Sequence, residues 1–262
     1  MPTNGKPRIA VFKLASCDGC QLQMLNLEDE LLAIAGQVEI CYFLEARSQI
    51  LDGPYDIALI EGSVTTEHDL ERVRDIRRKS QMLITLGACA NTGGIQALRN
   101  LQDVDEYARA IYANPTYIHT LSQSTPVAAH VTVEFAINGC PISKEQLLEV
   151  LTSVLIGRAP QLPAHAVCVE CKRKGTVCVL VAKGIACLGP VTHAGCGAMC
   201  PAFNRGCFGC YGPMESAHSE SLCQGLTAHG IPRSEMLRLL NGFTGWAEEF
   251  RSAAEKLEKI ST

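Results

Sequence analysis

Cysteine is the residue type that dominates the chemistry this sequence could perform. Eight of the fourteen cysteines lie between residues 168 and 210, and four more are dispersed among apolar runs in the first 140 residues. The dense set is Cys168, Cys171, Cys178, Cys187, Cys196, Cys200, Cys207 and Cys210, and the dispersed set is Cys17, Cys20, Cys89 and Cys140. One [4Fe–4S] cubane requires four thiolates, so these twelve predict three clusters and a protein that conducts electrons between them.

The four dispersed cysteines each follow a predicted strand. Cys17 and Cys20 come after the first strand and open a helix, Cys89 follows the fourth strand, and Cys140 follows the fifth. Because the carboxyl ends of parallel strands meet at one edge of a sheet, these four thiols can converge. Glycines beside them would let backbone N–H groups approach cluster sulfurs. The alternative for Cys17 and Cys20 is a thioredoxin-like dithiol.

The eight clustered cysteines include two C-x-x-C motifs, at residues 168–171 and 207–210. Two zinc sites are the main alternative to two iron–sulfur clusters. However, paired C-x-x-C motifs for zinc usually lie about 15–20 residues apart, and four cysteines would remain unexplained. Short loops favour grouping the first four as one cluster and the last four as the other, although interleaved ligation as in two-cluster ferredoxins stays open.

The other cysteines and the histidines have simpler interpretations. Cys41 and Cys223 are expected to be small buried hydrophobic residues. His165 and His193 lie in the cysteine-rich segment and could hydrogen-bond a cluster, with ligation as the weaker alternative. The remaining five histidines are expected at the surface or in turns: His68, His119, His130, His218 and His229. The chain lacks the glycine-rich nucleotide motifs, and a cluster would occupy the place where a flavodoxin-like sheet binds FMN.

The elements that must position these residues alternate along the chain. Short apolar runs predict strands at residues 9–13, 38–43, 56–61, 82–86 and 131–137. Amphipathic patterns predict helices at residues 22–34, ending at Gly36, and at 67–78 and 144–156. This alternation predicts an α/β fold with a doubly wound parallel sheet of flavodoxin-like strand order.

The composition changes after Gly157, where residues 158–163 resemble a linker. The eight-cysteine segment is rich in Gly and Pro, so we expect clusters rather than an apolar core to stabilise it. Residues 1–160 are predicted to form the flavodoxin-like domain, 161–214 a small irregular iron–sulfur domain and 215–262 a helical tail. The last predicted helix, 246–260, is expected to be a solvated amphipathic helix or a docking surface.

The bulk composition favours metal ligands over disulfides. The chain has 262 residues, is 47% hydrophobic and carries a formal charge of −4, which argues against a nucleic-acid partner. No run reaches the roughly 18 apolar residues that span a bilayer, and the first residues show no leader or twin-arginine signal. We therefore expect a soluble, cytoplasmic protein with no membrane contact, in which cysteines stay reduced.

Seven motifs together resemble the small subunit of a [NiFe]-hydrogenase, most closely the delta subunit of the cytoplasmic NADP-linked enzymes also called sulfhydrogenases. They are residues 15–23 (ASCDGCQLQ), 60–63 (IEGS), 87–90 (GACA), 139–141 (GCP), 168–171 (CVEC), 187–192 (CLGPVT) and 195–201 (GCGAMCP). The resemblance extends from Arg8 to about Gly212. One departure is Ile142, where many relatives have a second proline. Asp18 and Gly19 separate Cys17 from Cys20, which disfavours the related quinone-linked respiratory subunit with adjacent cysteines.

The resemblance implies a division of the twelve cysteines among three clusters. It places a proximal [4Fe–4S] cluster on Cys17, Cys20, Cys89 and Cys140, next to the nickel–iron centre of a separate large (alpha) subunit. It implies a medial cluster on Cys196, Cys200, Cys207 and Cys210, where Cys200 completes a cubane, and a distal cluster on Cys168, Cys171, Cys178 and Cys187, where Cys168 takes the place of a histidine.

The function implied is electron transfer within a hetero-oligomer, with no catalytic residue on this chain. Electrons would pass between the nickel–iron site and iron–sulfur (beta) and flavin- and NADP-binding (gamma) subunits, with sulfur or polysulfide reduction as a further activity. A small subunit linked to coenzyme F420 or to heterodisulfide reductase is one alternative. A zinc-stapled assembly module without redox activity is another.

Overall fold

Five parallel strands form one sheet in the computed structural model, which describes residues 5–259. The strands are β1 (Arg8–Lys13), β2 (Glu39–Phe43), β3 (Tyr55–Glu61), β4 (Ser80–Leu86) and β5 (Phe135–Ile137). Their order in the sheet is β2-β1-β3-β4-β5. This is the flavodoxin-like order, so the predicted α/β fold is confirmed. Residues 1–4 of the N-terminus and Ile260 of the last predicted helix lie outside the described range.

In the described part of the chain up to residue 157, the α-helices are α1 (Gly19–Leu25), α2 (Asp29–Gln37), α3 (Glu67–Lys79), α4 (Gly87–Thr92), α5 (Val104–Ile111) and α6 (Lys144–Leu155). The single helix predicted before Gly36 is wrong, because Glu28 takes a positive φ of 50° and separates α1 from α2. The fifth strand is also shorter than predicted. The Glu134 carboxylate accepts the Leu83 N–H at 2.7 Å in place of a ladder partner.

The sheet is buried on both faces, as a parallel sheet requires. One apolar cluster joins the sheet to α1, α2 and α6 through residues such as Met24, Ile34 and Leu147. The other joins it to α3 through Val73 and Ile76. A capping box between Thr66 and Asp69 fixes the start of α3. The packed sheet therefore forms the scaffold that carries residues at its carboxyl edge.

Between residues 158 and 259, the structure contains three short helices and three longer ones. The short helices are α7 (Val167–Arg173), α8 (Val179–Lys183) and α9 (Met199–Ala202), and the longer ones are α10 (Ser219–Ala228), α11 (Arg233–Leu240) and α12 (Glu248–Lys259). The last three share an apolar cluster that includes Leu226, Leu240 and Phe250 and also Leu188 of the cysteine-rich segment. The amphipathic terminal helix α12 packs its apolar side, including Phe250 and Leu257, into this cluster, which also contains residues of the cysteine-rich segment.

No helix within residues 5–259 combines the length and the hydropathy needed to span a bilayer.

Candidate iron–sulfur sites

The dispersed cysteines, which we call the first cysteine group, meet at the carboxyl edge of the sheet. Cys17 follows β1, Cys20 lies in the first turn of α1, Cys89 lies in α4 directly after β4, and Cys140 follows β5. Burial raises the pKa of the Cys89 thiol to about 11, with smaller contributions from the neighbouring Cys140 and Cys17. Burial likewise raises the pKa of Cys20, which also lies near Cys89 and Cys140. The four thiols therefore form one neighbourhood, as the sequence predicted.

Two glycines shape the space around the first cysteine group. Gly87 has a φ of 79°, and a Cβ placed on it would collide with the Cys20 Sγ atom. Gly94 has a φ of 62°, and its Cβ would lie 2.6 Å from the Cys89 Sγ atom. Only glycine fits at both positions, because the backbone conformation and the close approach each disfavour a side chain. The backbone therefore lies close to the Cys20 and Cys89 thiols, where its N–H groups could donate hydrogen bonds to the sulfurs of a cluster.

Glu61, the last residue of β3, holds the loop that carries Cys20. Its side chain is only 2% exposed. Its carboxylate accepts the Cys20 N–H at 3.0 Å, the Gln21 N–H at 3.3 Å and the Gln21 side-chain N–H at 2.9 Å. After burial, its charge is the next cause of the raised pKa of Cys20. The sequence signal was a carboxylate at the carboxyl end of β3, directly after the apolar run 57–60.

The second cysteine group, Cys196, Cys200, Cys207 and Cys210, lines an open cavity of about 830 Å³. Cys140 of the first group also lines this cavity. Burial raises the pKa of the Cys210 thiol to about 12, with further contributions from Cys196 and Cys140. Burial also raises the pKa of Cys207 to about 12. The second group therefore adjoins the first through Cys140 and Cys210.

The third cysteine group comprises Cys168, Cys171, Cys178 and Cys187. Cys168 and Cys171 lie one turn apart in α7, and Cys178 precedes α8. Burial raises the pKa of Cys168 to about 11, with contributions from the other three thiols. A Cβ on Gly189 would lie 3.3 Å from the Sγ atoms of both Cys168 and Cys187.

Cys187 links the third group to the second. Its Sγ atom accepts the backbone N–H of Cys207 at 3.2 Å and that of Gly189 at 3.4 Å. Hydrogen bonds of this kind favour the thiolate form of a cysteine and tune a metal bound to it. The three groups therefore follow one another in space in the order first, second, third.

The two remaining cysteines and two of the histidines have other partners. Cys41 and Cys223 are 0% and 5% exposed and belong to apolar clusters, as predicted. His165 Nδ1 and His193 Nδ1 face the carbonyl oxygens of Ala166 and Ala194. Within residues 5–259, no three His, Cys, Asp or Glu side chains converge on a position for a single metal ion. In a [4Fe–4S] cubane each thiolate binds a different iron, so the four thiolate sulfurs lie farther apart than the ligands of a single metal ion do.

A family profile described as "NADH ubiquinone oxidoreductase, 20 Kd subunit" matches residues 17–154, more than half of the chain and all of the first cysteine group. The delta subunit of sulfhydrogenase 2 from Pyrococcus furiosus is 39% identical, over 91% of this chain and 100% of the relative. The chain belongs to this family, and within it to the hydrogenase small subunits. It is therefore an iron–sulfur subunit of an oxidoreductase complex, and the family inferred from the motifs is confirmed.

Two further comparisons locate this hydrogenase small subunit among its relatives. The F420-non-reducing vhu hydrogenase of Methanococcus voltae has a subunit that is 33% identical, over 91% of this chain and 95% of the relative. The crystal structure of an NAD⁺-reducing [NiFe]-hydrogenase in the H₂-reduced state contains a chain that is 31% identical, with a TM-score of 0.57. That match covers 61% of this chain and 96% of the other. Relatives of this chain thus serve hydrogenases described by different acceptors.

Proposed function

We propose that the chain relays electrons through three [4Fe–4S] clusters in a soluble, cytoplasmic [NiFe]-hydrogenase. The first cysteine group would hold the proximal cluster, the second the medial cluster and the third the distal cluster. The observation that carries this proposal is the continuous series of thiols, in which Cys140 adjoins Cys210 and the Cys207 N–H donates to Cys187. Three clusters in series would divide one long electron transfer into several short ones.

The residues around each group fit such clusters. Four thiols supply the ligands of one cubane, and glycines keep side chains out of the space beside the sulfurs. Burial and nearby backbone N–H groups would set the potential of each cluster within the wide iron–sulfur range. The raised thiol pKa values imply that cluster insertion releases protons from the buried cysteines.

The partners in this proposal are a nickel–iron large (alpha) subunit at the proximal end and iron–sulfur (beta) and flavin- and NADP-binding (gamma) subunits beyond the distal cluster. The overall reaction would be H₂ + NADP⁺ → NADPH + H⁺, with sulfur or polysulfide as a further acceptor. Similarity to the Pyrococcus furiosus sulfhydrogenase chain, which extends over the whole of that relative, supports NADP⁺ with sulfur or polysulfide as the acceptors. A hydrogenase linked to F420 or to heterodisulfide reductase is the second candidate, and the 33% identity to a chain of the F420-non-reducing vhu hydrogenase favours an acceptor other than F420 within this candidate.

The decisive test compares Cys89→Ser with Cys41→Ser in the anaerobically purified complex. Relative to the wild-type complex, Cys89→Ser should lose about four irons, the content of one cluster, and abolish H₂-driven NADP⁺ reduction, whereas Cys41→Ser should keep both. Iron, acid-labile sulfide and the co-purifying chains are measured in the same preparations. A colourless protein containing zinc would instead support the non-redox assembly module. Full iron content and coupled activity in Cys89→Ser would remove Cys89 from the ligands.

A further inference from the structure

Gln146 is a buried polar residue where the sheet region meets the cysteine-rich segment. It lies in the first turn of α6, the helix that follows Cys140, and is only 7% exposed. The Ser143 Oγ atom accepts its backbone N–H at 3.3 Å, and the next residue, Leu147, is buried in the apolar cluster against the sheet. The position of Gln146 is therefore set by a packed helix and not by the loops that carry the second cysteine group.

The side-chain amide of Gln146 is unpaired within the described residues 5–259. Its Oε1 atom is buried without a hydrogen-bond partner, and its Nε2 atom donates to no group in that range. Buried polar groups in folded proteins are nearly always hydrogen-bonded, because an unpaired one has lost its bonds to water without replacement. The unused donors and acceptor of this amide therefore indicate a bound group that completes them.

The Gln146 amide lies beside the second cysteine group. Gln146 lines the cavity that the four thiols of this group also line. A Cβ placed on Gly195, which precedes Cys196, would collide with the Gln146 Nε2 atom and would lie 3.0 Å from the Cε1 atom of Tyr211. Gly195 also has a φ of 131°, so both the backbone and the packing require glycine there. The amide nitrogen therefore lies against the backbone next to one of the predicted ligands.

The chemistry of this amide matches the sulfurs of an iron–sulfur cluster. A glutamine side chain offers two N–H donors without a charge, whereas the inorganic and thiolate sulfurs of a cluster are acceptors. Tyr211 packs against the same glycine and lines the same cavity, and its hydroxyl can donate to the amide oxygen. An N–H donated to sulfur stabilises the added electron of a reduced cluster and so raises its potential.

We propose that Gln146 donates an N–H to a sulfur of the cluster on the second cysteine group and thereby raises the potential of that cluster. The proposal rests on the proposed function, since it requires a cluster on this group. Gln146 belongs to the sheet region, whereas the four thiols of the second group belong to the cysteine-rich segment. A helix packed on the sheet thus tunes a site whose ligands all lie outside the sheet region.

The test measures cluster potentials in the anaerobically purified complex by potentiometric titration with electron paramagnetic resonance, and Cys200→Ser identifies the signal of the second cluster. Gln146→Met keeps the length of the side chain but removes its donors, so the potential of the second cluster should become more negative while the other two stay unchanged. Gln146→Glu adds a negative charge and should shift it further in the same direction. With ¹⁵N-labelled glutamine side chains, pulsed measurements should show a nitrogen coupling at the second cluster that Gln146→Met loses.

The matched control is Gln81→Met, because Gln81 is exposed near the amino end of β4, away from the edge that carries the cysteines. It should leave all the potentials unchanged. If Gln146→Met does not retain the second cluster, the isosteric Gln146→Glu variant replaces it in the titration. An unchanged second potential in the iron-loaded Gln146 variants, or a nitrogen coupling that persists in them, would overturn this inference alone and leave the amide to bind water. A wild-type complex without a second cluster would overturn the proposed function as well.

Discussion

The first cysteine group and the other two are held in place by different means. The first is assembled from residues more than a hundred positions apart, and the ends of β1, β4 and β5 bring them together. The second and third lie on short helices and loops between residues 168 and 210. The first site is fixed by the topology of a buried sheet. The second and third sites depend on the conformation of a short stretch of chain and on the group that binds their thiols.

The apolar cores reflect the same difference. Two extensive clusters enclose the sheet. In the cluster around the third cysteine group, the buried residues other than cysteines are Val167, Val179 and Ala198, with Leu180 and Ile185 packed against them and partly buried. The tail contributes a core of its own, which reaches the cysteine-rich segment through Ala186, Leu188 and Val191. Thiols thus take the place of aliphatic side chains in the middle of the cysteine-rich segment.

Removal of the clusters should produce the largest difference in stability between the sheet and the cysteine-rich segment. Anaerobic chelation of iron should abolish amide-exchange protection in α7, α8 and α9, because those helices have little apolar core and would lose their inorganic cross-links. Strands β1, β3 and β4 should stay protected. The measurement is hydrogen exchange followed by mass spectrometry, with the iron-loaded chain as the control. Amide-exchange protection retained in α7–α9 of the iron-free protein would show that the cysteine-rich segment, like the sheet, stays folded without clusters.

Substitution of Gly87 by Ala tests whether the sheet-built site tolerates a change in shape. The new Cβ would collide with Cys20 Sγ, so iron bound to the first group should be lost and the protein destabilised. Gly212→Ala is the matched control, because Gly212 has a similar φ of 74° but nothing within 4 Å of the added Cβ. It should cost roughly 1 kcal/mol from backbone strain and keep the iron. Equal iron loss in both variants would mean that backbone conformation, not space beside Cys20, is what matters.

Glu61→Gln should give the smallest effect, a shift in potential without loss of a cluster. Removing a buried negative charge beside Cys20 favours the reduced cluster, so the midpoint potential of the first site should rise while the other two stay unchanged. Potentiometric titration followed by electron paramagnetic resonance measures all three. Glu67→Gln on the exposed start of α3 is the control. An unchanged potential in Glu61→Gln would show that the charge of Glu61 does not influence the cluster and that its role is limited to the hydrogen bonds that hold the loop.

The sequence predicted the parts of the molecule that depend on alternation and chain order. The apolar runs and the helices between them were sufficient to predict the strand order. The positions of Cys17, Cys20, Cys89 and Cys140 at strand ends were sufficient to predict that these residues converge. Ligation by these thiols and the division of the other eight remain predictions. Periodicity could not reveal the break at Glu28, which depends on a single positive φ. Nor could it reveal the packed tail, because tertiary contacts decide which side of α12 is buried.

The exposure of Cys17 and Cys178 has a consequence for handling the protein in air. These are the exposed thiols at the two ends of the series, whereas Cys20, Cys187 and Cys207 are buried. Accessible thiolates are the first to be oxidised to sulfenic and higher acids. Oxidative damage should therefore start at the termini of the electron path and advance inward, and partner chains that cover those termini would protect the protein as well as exchange electrons with it.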